Sequence, residues 1–169
     1  MSASLVGLGS AGKSLSIGAR VRDGTGITTT VAAAGTPAVV TSATLFTADQ
    51  DDTGGAITFS GTTGKFTVAT QNGVGKYLVL ASFGSVQGVN AKTVLGIIFA
   101  VEGGATVAAK GLRATKTEPA TAVAGNAGVA MAVVNLSAVG DTVEIRLDST
   151  TNGDTVVTRD LYVQLVKIA

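Results

Sequence analysis

A chain of 169 residues with twelve Lys and Arg, eleven Asp and Glu and a net charge of +1 is one domain by length, long enough to bury a core without covalent staples. It has no Cys, His or Trp, which removes disulfides, thiolate and imidazole metal ligands, and the usual bases and strongest nucleophile of enzymes, so the chain is not expected to be one. The basic residues are scattered, against a nucleic-acid partner, and with 14% charged residues beside 46% apolar ones, much of the surface is expected to lie under partner subunits.

The first 35 residues are rich in Gly, Ser, Ala and Thr and lack sustained periodicity. They predict an extended N-terminal arm or a pair of short edge strands. Nothing at the start has the basic and apolar regions of a signal peptide. Gly7-Leu8-Gly9-Ser10-Ala11-Gly12-Lys13-Ser14 satisfies G-x-x-x-x-G-K-[ST]. A phosphate loop of that pattern needs a helix to begin after the lysine. Here Leu15-Ser16-Ile17-Gly18-Ala19-Arg20 alternates like a strand, so the reading is an arm that docks on a neighbour. Pro37 opens the compact domain, which gives an arm over 1–35 and a domain over 36–169.

From there the signal has period two. A strand is predicted over 39–47, followed by an acidic turn at Asp49, Asp51 and Asp52. Those carboxylates could offer oxygens to calcium, but without the Gly and distal Glu of a helix-loop-helix site they read as a solvated turn. Short strands follow over 56–59 and 65–70, the second with Phe66 and Val68 inward, and Asn72-Gly73 is a turn. Over 76–86, Tyr77, Val79 and Ala81 share one face and Leu78, Leu80 and Ser82 the other, so both faces are largely apolar. The strand over 93–101 is also two-sided: Leu95, Ile97, Phe99 and Val101 oppose Val94, Ile98 and Ala100. At nine residues it is about half of the ~20 that a membrane helix needs, so no membrane partner is expected. After a strand over 105–110, residues 115–119 read as a polar loop. The strand over 128–136 sets Val129, Met131 and Val133 against Ala130, Ala132 and Val134. Residues 142–147 form an amphipathic strand, Asp141 is a turn residue accepting backbone hydrogen bonds, and the last strand covers 156–168. Turn signals at this spacing, with no helical period, predict an all-β sandwich.

A sandwich strand shows one face to the core and the other to solvent. Where the second face is also apolar, the economical cover is a copy of the same chain. The residues expected at such an interface are Tyr77, Leu78, Val79, Leu80, Ile98, Phe99, Met131 and Tyr162.

Four motifs occur in a fixed order: Thr63-Gly64-Lys65-Phe66-Thr67-Val68, Gly75-x-Tyr77, Leu136-x-x-x-Gly140-Asp141-x-Val143 and Leu161-Tyr162-Val163. Together they resemble the globular heads of the first complement component, within the tumour-necrosis-factor-like superfamily, over 36–169. The resemblance implies a ten-stranded jelly roll packed as a homotrimer. The chain departs from the animal members in having no collagen-like repeat and fewer aromatics, which leads away from an immune or hormone role. Short, cysteine-free members of this kind resemble the decoration (cement) proteins of tailed bacteriophage heads. The function so implied is structural: a trimer, made in the host cytoplasm, that binds the major capsid protein at the virion surface without a cofactor. The arm residues expected to reach the capsid are Leu5, Leu8, Lys13, Leu15, Ile17 and Arg20. The alternative is the trimeric head of a phage fibre or spore-surface protein that recognises a receptor or glycan, which the scarcity of aromatics for sugar stacking disfavours.

Overall fold

The computed structural model describes residues 15–21, 26–87, 92–107, 109, 114–118 and 126–169. They form strands β1 (Ser16–Val21), β2 (Ile27–Val31), β3 (Ala38–Val39), β4 (Phe46–Asp51), β5 (Ile57–Ser60), β6 (Lys65–Val68), β7 (Gly75–Gln87), β8 (Lys92–Glu102), β9 (Ala105–Val107), β10 (Ala114–Glu118), β11 (Asn126–Leu136), β12 (Thr142–Ser149) and β13 (Asp154–Lys167). A 3-10 turn at Gln71–Gly73 precedes β7. One sheet has six strands in the order β11-β7-β13-β1-β4, with β2 also paired to β13. The other has seven, in the order β10-β8-β12-β6-β5, with β3 on β12 and β9 on β8. Every ladder is antiparallel, and the two sheets stack as a jelly-roll sandwich.

Alternation places the core. Tyr77, Val79 and Ala81 of β7, Ala130, Ala132 and Val134 of β11 and Leu161, Val163 and Leu165 of β13 are all buried. They face Ile98 and Ala100 of β8 and Val143, Ile145 and Leu147 of β12 in one continuous cluster. At the β4 edge the sandwich closes on aromatics, with ring centroids of Phe46 and Phe59 4.7 Å apart and those of Phe59 and Phe66 4.6 Å apart.

The motifs read in the sequence each have a geometric reason. Gly64 sits at φ +66°, and a Cβ there would lie 2.1 Å from the Val40 carbonyl oxygen, so only glycine fits. Tyr77 is fully buried, and its hydroxyl donates to the Gly73 carbonyl over 2.6 Å. Burial holds its phenol above the usual tyrosine range, so it stays a donor. Tyr77→Phe leaves that carbonyl without its partner and should lower stability by about 1–2 kcal/mol, read as a shift in the urea midpoint at unchanged slope.

Several expectations are corrected. Residues 39–47 are not one strand: β3 ends at Val39, Ser42 accepts from the Leu45 N–H in a hydroxyl turn, and Asp49 and Asp51 belong to β4 rather than to a turn. Residues 115–118 of the expected polar loop instead belong to β10, which runs along β8. The compact unit begins before Pro37: β1 lies between β13 and β4, and Ile17, Ala19 and Val21 are core residues. The edge-strand alternative for that stretch is the better description of β2, which among the described residues pairs only with β13, while β1 is interior to its sheet.

Candidate functional site: the outer face of the six-stranded sheet

Three rows of side chains cross the outer face of the six-stranded sheet from β11 to β1. Register aligns Val133, Leu78, Val166 and Ser16 in one row. Met131, Leu80, Gln164 and Gly18 form the next, and Val129, Ser82, Tyr162 and Arg20 the third. The β11 end of each row is apolar and stands in solvent: Val129 is 58% exposed, Met131 41% and Val133 56%. Leu78, Leu80 and Val166 beside them are half-buried. Three consecutive outward positions with no polar residue, on a strand that ends its sheet, make a candidate interaction face, since a solvent-facing strand normally alternates with polar side chains.

The β1 end of the face is polar. Tyr162 lies over Gly18, where a Cβ would come 2.9 Å from the tyrosine oxygen, so glycine makes room for the ring. Arg20 Nε stands 3.2 Å from Asp49 Oδ1. Between Arg159 and Tyr162 the register with β7 slips by one residue, and Asp160 there has φ +52°. The bulge opens a cleft of about 160 Å³ lined by Arg20, Val21, Asp160, Leu161 and Tyr162.

The expected interface residues divide on this map. Leu78, Leu80, Met131 and Tyr162 lie together on the outer face. Tyr77, Val79 and Ile98 instead point between the sheets, each at most 1% exposed, where no second copy can touch them. Phe99 faces outward on the opposite sheet, with the Arg146 guanidinium 4.3 Å from its ring centre. Arg146 also pairs with Glu144, which Lys65 approaches at 3.6 Å. Of the arm residues, Leu5, Leu8 and Lys13, with the whole phosphate-loop pattern, lie outside the described residues. Leu15 is half-buried, Ile17 is core and Arg20 is exposed. Sequence reasoning missed Val129, Val133, Gly18 and Asp160 as parts of the face. The exposed valines were legible as the partners of Met131 in the alternation, but nothing marks Asp160 as a bulge.

Three other carboxylates serve the fold. Asp51 Oδ1 accepts from the Thr53 N–H at 2.8 Å and from its hydroxyl at 2.5 Å. Asp52 Oδ2 accepts from Ser16 at 3.2 Å and Gln50 at 2.7 Å. No group of three potential metal ligands occurs among the described residues. Asp141 is buried and accepts from three backbone N–H groups: Gly103 at 2.9 Å, Gly104 at 3.1 Å and Ala138 at 2.9 Å. Burial alone would raise its pKa; the backbone donors outweigh it and hold the carboxyl below the usual aspartate range.

No protein-family model matches the chain, and no curated protein matches its sequence. Solved structures do match. The chain is similar to the Eiger TNF of S. frugiperda, with TM-score 0.59 at 16% identity, covering 92% of this chain and 93% of that one. It is similar to murine APRIL, with TM-score 0.60 at 14% identity, covering 92% of this chain and 100% of that one. The globular domain of zebrafish complement 1qA gives TM-score 0.58 at 18% identity, with 93% and 98% covered. These likenesses, with the sheet order above, establish a TNF-like jelly-roll fold.

Proposed function

We propose that this chain is a structural protein that works as a homotrimer and decorates a bacteriophage capsid, binding the major capsid protein at the virion surface. One observation carries the self-association: a solvent-facing strand bears Val129, Met131 and Val133 in succession, beside a half-buried apolar row. Covering that face is worth about 25 cal/mol per Å² of apolar area. The mechanism is adhesive rather than chemical. Each trimer offers three copies of its capsid contact, so weak contacts add through effective concentration and brace the shell. The charge-poor, aromatic-poor composition supports a lattice-bound role over sugar or receptor recognition.

Solution mass by light scattering tests the trimer, with three chains expected. Co-sedimentation with capsids tests the decoration role, and binding to receptor or glycan without capsid binding would favour the recognition head instead. The fold refines where the capsid contact is sought. Truncation at residue 35 would remove β1 and β2, including core residues Ile17, Ala19, Val21, Ile27 and Val31. Deleting residues 1–14 spares both strands. That shorter deletion should keep a trimeric mass and weaken capsid co-sedimentation at least tenfold, whereas unchanged binding would remove the segment from the mechanism.

A further inference from the structure

The inward face of β13 changes character at its bulge. Beyond the bulge its inward residues are Leu161, Val163 and Leu165, all apolar members of the core. Before it they are Asp154, Val156 and Thr158, all buried. Strand β2 matches this polar half: its inward residues are Ile27, Thr29 and Val31. Asp154 has a partner, since it accepts the Ser149 hydroxyl at 2.5 Å. The hydroxyls of Thr29 and Thr158 have no hydrogen-bond partner among the described residues, although the two side chains are 5% and 0% exposed. A buried hydroxyl left in that condition is costlier than the methyl group that could replace it. Register places the two together. Thr29 stands opposite Val156 and Thr158 opposite Ile27, so the threonines are diagonal neighbours on one face of an antiparallel pair. Such neighbours lie ~7–8 Å apart, and somewhat less between Cβ atoms.

We propose that Thr29 and Thr158 form a buried site for one water molecule, which bridges β2 to β13 inside the sandwich. That spacing suits a single small molecule hydrogen-bonded to both hydroxyls at ~2.8 Å each. Water matches the chemistry, because a hydroxyl donates and accepts and water does both. A buried water needs at least two polar partners, and the pair supplies them. Ile27, Val31 and Val156 close the site with apolar side chains, which leaves no polar group among them to orient a larger ligand. The bridge gives β2 a tie to its neighbour beyond the backbone ladder. It lies within one chain and holds whether or not copies assemble.

Magnetic relaxation dispersion of water oxygen, measured on the full chain, counts long-lived buried waters, and the urea midpoint is read alongside. Valine keeps the branched shape of threonine without its hydroxyl. Thr29→Val and Thr158→Val should each lose about one long-lived water relative to the parent, and the double variant no more than either. Thr158→Ser, which retains a hydroxyl, should keep that water. Each valine variant should lower the urea midpoint, and the double variant by less than the sum, because the second substitution removes a group whose partner is already gone. A parent with no long-lived water overturns the bridge without recourse to any variant. So does a water count unchanged in either single valine variant, or a urea midpoint that either of them raises.

Discussion

Val133→Asp is expected to convert the protein from three chains to one by light scattering at micromolar concentration, with its far-ultraviolet circular dichroism unchanged. The residue is 56% exposed in the single chain, so an aspartate there meets water and costs the monomer little. In the assembly the same carboxylate would be taken from water into an apolar contact without a partner. The penalty for an uncompensated buried charge is about 3–5 kcal/mol. Since 1.4 kcal/mol is tenfold in affinity, each interface should weaken by about 150-fold or more, and a ring has several such interfaces. Val139→Asp is the matched control. Val139 is 53% exposed, but it lies in the turn between β11 and β12 rather than on the outer face, so its variant should keep the parental mass. Loss of mass in both variants would point to a general solubility effect, and retention in both would free the outer face from any role in assembly.

The sequence made β7, β11 and β12 legible because their apolar residues alternate over long runs. It could not say which face of a two-sided strand is inside. Tyr77 and Val79 compete with Leu78 and Leu80 on hydrophobicity alone. Turned inward, the Tyr77 hydroxyl finds a partner in the Gly73 carbonyl, which the 3-10 turn presents and no local pattern announces. Strand β1 alternates like a strand in the sequence, but its place inside the sheet was not legible, for a different reason. Its inward residues Ile17, Ala19 and Val21 do alternate, yet Ser16 and Gly18 between them belong to a Gly- and Ser-rich stretch that resembles an arm. For β10 there was no signal at all: Ala-Thr-Lys-Thr-Glu carries almost no apolar content, and its strand conformation comes from pairing to β8. The candidate face was half legible. Its apolar end follows from alternation in β11, whereas its cleft depends on a one-residue slip against β7 that no local pattern encodes.

Asp141→Asn should lower stability at pH 7 by about 2–4 kcal/mol, because hydrogen bonds to a charged acceptor are worth more than neutral ones and a buried donor left without a partner costs the full desolvation penalty. The carboxylate accepts the N–H groups of Gly103 and Gly104 in the β8–β9 turn and of Ala138 in the β11–β12 turn. An amide replaces one acceptor oxygen with a donor that faces those same N–H groups. The effect has a defined pH dependence. The folded pKa lies below the usual aspartate value, so the stabilisation is fully present above that value and is lost as pH falls through the lower, folded one. The gap in urea midpoint between parent and variant should therefore be constant at neutral pH and close in strongly acidic solution. A gap that stays constant through that window would show that charge is not what the site uses. The clasp also reaches the outer face of the six-stranded sheet. It pins the end of β11, where Glu102 accepts the Asn135 N–H at 2.8 Å, two residues from the exposed Val133. Faster amide exchange in the variant is accordingly expected at Gly103, Gly104, Asn135 and Ala138 together. If the outer face needs a rigid β11 to meet a neighbour, the trimer of the variant should also dissociate at a higher protein concentration than that of the parent.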